Sequence, residues 1–505
     1  MVYLGRSRGC ETCKRRRKKC DETRPSCTRC VNARRTCGGY ETEKALTIQE
    51  YDGGKKIALP IRSAARKCSL PVRQRLPGTV ALAKDILPKE VPDRDVDDFS
   101  LRSFLHEFCI VPSGPTVSYG FLSGIEPILR KMDDQSSLAK ACKMAAFASH
   151  GIKLNRPVLT AKAEKLNHDL VASLAVGLQS NAAASKKYDV LVVMLLGIYE
   201  MIIANDARNG FHNVHASGLA ALLKLKKHPI LILEALLGGK SLGSLREALP
   251  NDKEGLLAMP NGAVSTKSLD SLLISLARIG QRVKITATEG LMDCDEKGWL
   301  LLEALNLDRE FVQWNESQDQ IHRPTMIGQV SKTTALECNV GYWPGRVDVY
   351  FDRYVAGIWN IYRAARLYLS ELILNLSNGN RNPRTDPRHG QDMDDLVQGV
   401  LSSIPYHLTE NLYGFLNQID NGAPLANVGK AASGLFVMHP LHVISNLSLV
   451  DLDVRCYLKR CLLWIGDNMG IGQASVFAKV SKQVINFVRP RINDADIFVY
   501  QVLNF

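Results

Sequence analysis

Nowhere does this 505-residue chain stay apolar for the roughly 20 residues that a bilayer-spanning helix needs. Its most apolar stretch, Asp189 to Asp206, is interrupted by Glu200, which predicts a buried helix and no membrane partner. The opening MVYLGRSRGC has no apolar secretory core, so reduced thiols are expected rather than disulfides. Heptads are missing too. Between residues 41 and 97 no apolar a and d positions persist, and Pro60, Pro71, Pro77, Pro88 and Pro92 would break them. A monomer and a dimer held together elsewhere both fit that absence.

The phosphate-loop, dinucleotide and zinc-protease patterns are all incomplete. Gly238–Ser241 reads GGKS like the end of a phosphate loop, but the glycine needed earlier is Glu234. Gly470, Ile471, Gly472 begins a dinucleotide-like pattern and then meets Ser475, so it reads as a turn between helices. His212 with His215, and His439 with His442, are too close for the zinc-protease pattern and lack its glutamate. The expectation is a protein that is not an enzyme.

What the chain does have is concentrated at one end. Residues 1–90 carry 22 Lys or Arg against 9 Asp or Glu, whereas the remainder balances at 42 against 42. The net charge of +13 is therefore an N-terminal property, as expected of a nucleic-acid footprint confined to that region.

Inside it, Cys10, Cys13, Cys20, Cys27, Cys30 and Cys37 form C-x2-C-x6-C twice. A C-x2-C step lets two thiolates grip one metal ion, and six residues allow a short helix before the next ligand. Two closed tetrahedral sites need eight ligand places, which six thiolates fill only if two of them bridge. Two zinc ions are the simplest assignment. The duplication suggests pseudo-twofold symmetry, with one bridging cysteine from each copy, and spacing alone leaves the pair open. The run Lys14, Arg15, Arg16, Arg17, Lys18, Lys19 lies in the first copy, and most of its charge must point outward, toward phosphates. The same charge would suit nuclear import. A zinc-dependent RNA- or protein-binding adaptor is the competing reading. It leaves unexplained why only one of two equal halves is so basic.

The segment Arg8–Tyr40, RGCETCKRRRKKCDETRPSCTRCVNARRTCGGY, resembles the DNA-binding domain of the fungal Zn(2)-C6 binuclear zinc cluster transcription factors. It shares all five cysteine spacings, the basic run before Cys20 and Asp21, Arg24 and Pro25 before Cys27, and Gly39 and Tyr40 beyond. The resemblance implies that Cys10 and Cys27 bridge the ions, that Cys13 and Cys20 complete one site, and that Cys30 and Cys37 complete the other. It also implies a nuclear regulator of the RNA polymerase II type that works with the transcription machinery and reads a CGG-like, GC-rich triplet in double-stranded DNA. The reading side chains would be Arg16 and Arg17, the latter a departure from the family's usual Lys. Arginine can donate two hydrogen bonds to guanine. Lys14, Arg15, Lys18, Lys19 and Arg24 then read as phosphate contacts.

Residues 41–97 read as a basic, proline-bearing linker, and residues 98–505 as a large all-α body in one or two lobes, since apolar residues recur there at helical spacing. From Leu138 to Lys226, AFASHGI, Leu195 and Leu196 before Tyr199 and Glu200, and HNVHASGLAALLKL resemble the helical regulatory domain of fungal-specific transcription factors. In that family the region is associated with small-molecule or protein effectors, and no residue here identifies one. The seven remaining cysteines share no ligand spacing and read as buried thiols. The ending NDADIFVYQVLNF fits either a last packed helix or an acidic-aromatic activation segment.

Overall fold

Each cysteine repeat starts a helix of little more than one turn. α1 spans Glu11–Arg15 and α2 spans Thr28–Asn32, each beginning just after the first cysteine of its repeat. Cys27 is the N-cap of α2, and its Sγ accepts the Cys30 N–H at 3.3 Å. The Cys13 N–H reaches Cys10 Sγ in the same way at 3.4 Å. Both helices stop alike: the Lys18 N–H donates to the Cys13 carbonyl at 3.1 Å, and the Arg35 N–H to that of Cys30 at 3.0 Å. Such a six-residue closure needs a left-handed residue just inside it, and Arg34 takes that role with φ +48°.

The computed structural model describes residues 10–37 apart from 17, 19, 22, 24 and 25, then 49–52 and 55–58, and most of 93–479; within that last span, 113–116, 180–187, 206–266, 290–293, 332–338, 378–386 and 420–423 are not described. Two units separate, Met1–Thr79 and Val80–Phe505. In the first, β1 (Gln49–Asp52) pairs antiparallel with β2 (Lys55–Ala58), from Gln49↔Ala58 to Asp52↔Lys55. The hairpin falls in the stretch read as a linker, where the paired Gly53 and Gly54 are its local signal.

The second unit is helical. α3 (Asp93–Phe108) starts inside the expected linker and is followed by α4 (Ile125–Leu129), α5 (Ser137–Lys153), α6 (Pro157–Gln179) and α7 (Asp189–Ile203). Next come α8 (Leu269–Glu289), α9 (Cys294–Glu316), α10 (Arg353–Leu376), α11 (Pro387–Leu408) and α12 (Leu412–Leu416). The described helices end with α13 (Ala431–Ser445), α14 (Leu452–Trp464) and α15 (Gly472–Lys479). Between α9 and α10 an antiparallel pair, β3 (Thr325–Val330) with β4 (Gly345–Val349), adds a hairpin to the expected all-α body and packs against α11.

Two helices organise the core. α5 is capped by Ser136, whose Oγ accepts the Ala139 N–H at 3.3 Å, and its small residues let α3, α6 and α7 approach closely. α10 is capped by Asp352, which accepts the Val355 N–H at 2.9 Å, and packs on α9, α11 and α13. α7 is the buried helix expected from its apolar sequence, and among the described residues no helix is long and apolar enough to cross a membrane.

Glu107 joins three of these helices. From α3 its carboxylate pairs with Lys153 Nζ of α5 at 2.7 Å and accepts the first N–H of α13, from Ala431, at 3.0 Å. Burial pushes this carboxyl up, but the Lys153 charge and hydrogen bond outweigh it and hold the group at about 2, below its ordinary 4.5. A depressed acid contributes stability above its unfolded pKa and loses it as pH falls toward the folded one. Glu107→Gln is therefore expected to cost about 3 kcal/mol at neutral pH by stranding a buried ammonium. Urea unfolding followed by circular dichroism should show the gap between wild type and variant shrinking from pH 6 toward pH 3.

Two of the enzyme-like signals, Gly470–Gly472 and the His439, His442 pair, have structural roles. Gly470 has φ +72° and turns the chain ahead of α15, while a Cβ on Gly472 would lie 2.1 Å from the Ala204 carbonyl oxygen. His439 and His442 pack on Phe477 in the core, with ring centroids at 5.1 and 4.2 Å, and burial pushes their pKa values down to about 3 and about 4. The GGKS segment, His212, His215 and the acidic-aromatic ending lie outside the described residues.

Candidate metal centre and nucleic-acid interface

The short helices bring all six repeat cysteines together, none of them in a disulfide. Two quartets form, Cys10, Cys13, Cys20, Cys27 and Cys10, Cys27, Cys30, Cys37, each with its sulfur atoms within 4.8 Å of one another. Cys10 and Cys27 belong to both, and both are fully buried. Their sulfurs are 3.6 Å apart; Cys10 to Cys30 and Cys13 to Cys27 each measure 3.8 Å. Disulfides would need about 2.05 Å. Zinc–sulfur bonds of about 2.3 Å place tetrahedral ligands about 3.8 Å apart, so the residues present fit two zinc ions sharing an edge.

The local bonding repeats with the sequence. The Cys10 N–H donates to Cys20 Sγ at 3.4 Å, and the Cys27 N–H to Cys37 Sγ at 3.5 Å. With the Cys13 and Cys30 contacts described above, four backbone donors are aimed at sulfur. Such donors favour thiolates. Without metal, burial acts the other way and pushes the Cys10 thiol up to about 12, with Cys13 and Cys27 also raised. Metal must displace those protons, so binding and assembly of the fold are linked.

Asp21 is a contributor that spacing did not reveal. Its carboxylate accepts the Thr28 N–H at 2.8 Å and the Arg29 N–H at 3.4 Å, so it ties the end of the first repeat to the start of α2. Hydrogen bonds from Thr23 and Thr28 hold this carboxyl well below the usual range. Thr12 Oγ1, donating to the Thr36 carbonyl at 3.1 Å, is a second cross-link between the repeats.

Arg15, Arg16 and Lys18 are exposed at the end of α1, and Lys14 lies within it. Arg17, Lys19 and Arg24 are outside the described residues. At positions equivalent to Lys14, Arg15 and Arg16, the second repeat has exposed Val31, Asn32 and Ala33, while Arg34 and Arg35 keep the charge only beyond them. The end of α1 is thus the more basic of the two. Phosphate affinity follows that charge.

Comparison with known proteins agrees with this geometry. Residues 8–45 match the model of the fungal Zn(2)-Cys(6) binuclear cluster domain, which binds two zinc ions. The transcription factor dbaG of Emericella nidulans is 38% identical over 405 residues, covering 79% of this chain and 96% of that protein. Two further relatives match over 37 residues each. The aspercryptin biosynthesis cluster-specific transcription regulator atnN of the same organism is 62% identical over 37 residues, 7% of this chain and 6% of its own. The transcriptional regulatory protein moc3 of Schizosaccharomyces pombe is 54% identical over 37 residues, 7% of each chain. No solved structure matches. Because residues 8–45 match the cluster domain and the likeness to dbaG covers 79% of the chain, far more than the cluster, this chain belongs to the fungal Zn(2)-Cys(6) transcription factors.

Proposed function

We propose that the chain is a nuclear, sequence-specific regulator of RNA polymerase II transcription that reads a CGG-like triplet in the major groove. In this reading Cys10 and Cys27 bridge two zinc ions, Cys13 with Cys20 completes one site, and Cys30 with Cys37 completes the other. The metal centre orients α1. Arg16 and Arg17 then reach guanine edges, while Lys14, Arg15, Lys18, Lys19 and Arg24 hold phosphates and set the register. The observation that carries this reading is the pairing of two sulfur quartets around Cys10 and Cys27 with exposed Arg15, Arg16 and Lys18 at the end of α1, whose equivalents after the start of α2 are Asn32, Ala33 and Arg35. Residues 8–40 serve as the reader, 41–97 as the connection and 98–505 as the regulatory body. The name of atnN describes a regulator specific to one biosynthesis cluster, and a pathway-specific role is proposed here too. A small-molecule or protein effector of the helical body belongs to the same reading.

The test is competition for a labelled CGG-containing duplex. An unlabelled copy should displace the protein about 1,000-fold better than a scrambled duplex of equal composition, as specific protein–DNA complexes do. Folded RNA of equal length should compete no better than the scrambled duplex. If RNA competes best, the chain is a zinc-dependent RNA-binding adaptor instead.

A further inference from the structure

The six thiols of the cluster are not equally reachable. Cys10 and Cys27 are 0% exposed, and Cys13 and Cys30 are 5% and 3% exposed, whereas Cys20 and Cys37 are only partly buried. The two more open positions are related by the internal repeat, so the difference belongs to the design of the domain rather than to one loop. Each open sulfur accepts the backbone N–H of the central cysteine of its own repeat, Cys10 or Cys27. An exposed cation stands two residues earlier in both cases, Lys18 and Arg35.

Chemistry sharpens the contrast. Metal-bound thiols are fully deprotonated, so they are nucleophiles without help from a base. A sulfur shared by two zinc ions has the least electron density to give, and those sulfurs are the buried ones. Cys13 and Cys30 bind one ion each but are shielded. Cys20 and Cys37 alone combine a single metal bond with access from outside.

We propose that Cys20 and Cys37 are modification sites at which soft carbon electrophiles of the α,β-unsaturated carbonyl class attack the zinc-loaded cluster. The thiolate lone pair adds to the β-carbon and forms an S–C bond. The displaced π electrons pass to the carbonyl as an enolate, which takes a proton from water and leaves hydroxide. The thioether that results is neutral and a poor zinc ligand, so the ion at that site loses one of its four sulfurs and becomes open to chelators. A regulator so built loses its DNA-reading end when such electrophiles accumulate. The proposal rests on the two-zinc reading given above.

The experiment uses the full chain, assayed first for zinc and then treated with substoichiometric N-ethylmaleimide. Adducts are mapped by peptide mass spectrometry while a chromophoric chelator reports released zinc. Exposed Cys456 serves as the standard for an accessible thiol, and buried Cys142 and Cys461 as standards for protected ones. Adducts at Cys20 and Cys37 are expected about 10-fold ahead of those at Cys10, Cys13, Cys27 and Cys30, with zinc release keeping pace. In protein stripped of zinc by EDTA under reducing conditions, the difference should collapse. First adducts at any of the four inner cysteines, equal labelling of all six in loaded protein, or labelling of Cys20 and Cys37 without zinc release would overturn the proposal. Fewer than two zinc ions per chain at the outset would overturn the metal reading itself, and the proposal with it.

Discussion

Replacing Cys10 or Cys27 with Ala is expected to empty the cluster, taking zinc from two ions per chain to nearly none and weakening DNA binding by about 1,000-fold or more. Each of these sulfurs lies in both quartets, so one substitution removes a ligand from both sites at once. Neither sulfur is exposed, and no water can take its place without opening the fold. Cys20→Ala or Cys37→Ala removes a ligand from one site only, and partial zinc retention is expected there. Elemental analysis of the four variants beside wild type checks the ranking. A Cys10→Ala or Cys27→Ala protein that keeps two zinc ions would show that the bridging pair has been assigned wrongly.

The second large effect concerns specificity. Arg16→Ala and Arg17→Ala should each reduce preference for the guanine triplet over random duplex by about 10- to 100-fold, the worth of one bidentate arginine–guanine pair. Binding to random DNA should fall far less. Lys18→Ala should do the reverse, weakening binding to both duplexes alike and lowering the salt dependence by about one phosphate contact. Arg34→Ala and Arg35→Ala sit on the half that has Val31, Asn32 and Ala33 where the first half has Lys14, Arg15 and Arg16. They should cost less specificity. Filter binding to the two duplexes at several salt concentrations separates the cases, and an Arg34 or Arg35 effect larger than that of Arg16 or Arg17 would move the reading head to α2.

The cluster was legible because metal coordination imposes fixed spacing. Six cysteines in two equal units imply two zinc sites, and the internal repeat suggests one bridging residue from each copy. Asp21 was not legible in the same way. Its partners are the N–H groups of Thr28 and Arg29, and a capping carboxylate seven residues upstream of its helix leaves no local pattern. Helices of the body followed from apolar periodicity, and the burial of α7 followed from its composition. The links between helices did not. Glu107, Lys153 and Ala431 meet across 324 positions of sequence, and only the packed fold says which lone charge finds which helix end. The hairpin of β3 and β4 escaped for another reason: Thr325–Val330 contains Gly328 at a register shift, and that irregularity weakens the alternation that marks a strand.

The most direct test of the central claim is selection of bound sites from a random duplex library by residues 1–90, with zinc measured on the same preparation. Two zinc ions per chain and an enriched CGG-like triplet are predicted, with a lone triplet indicating a monomer and a fixed-spacing pair indicating a dimer. One zinc ion, or no enriched sequence from a fully loaded protein, would contradict the account.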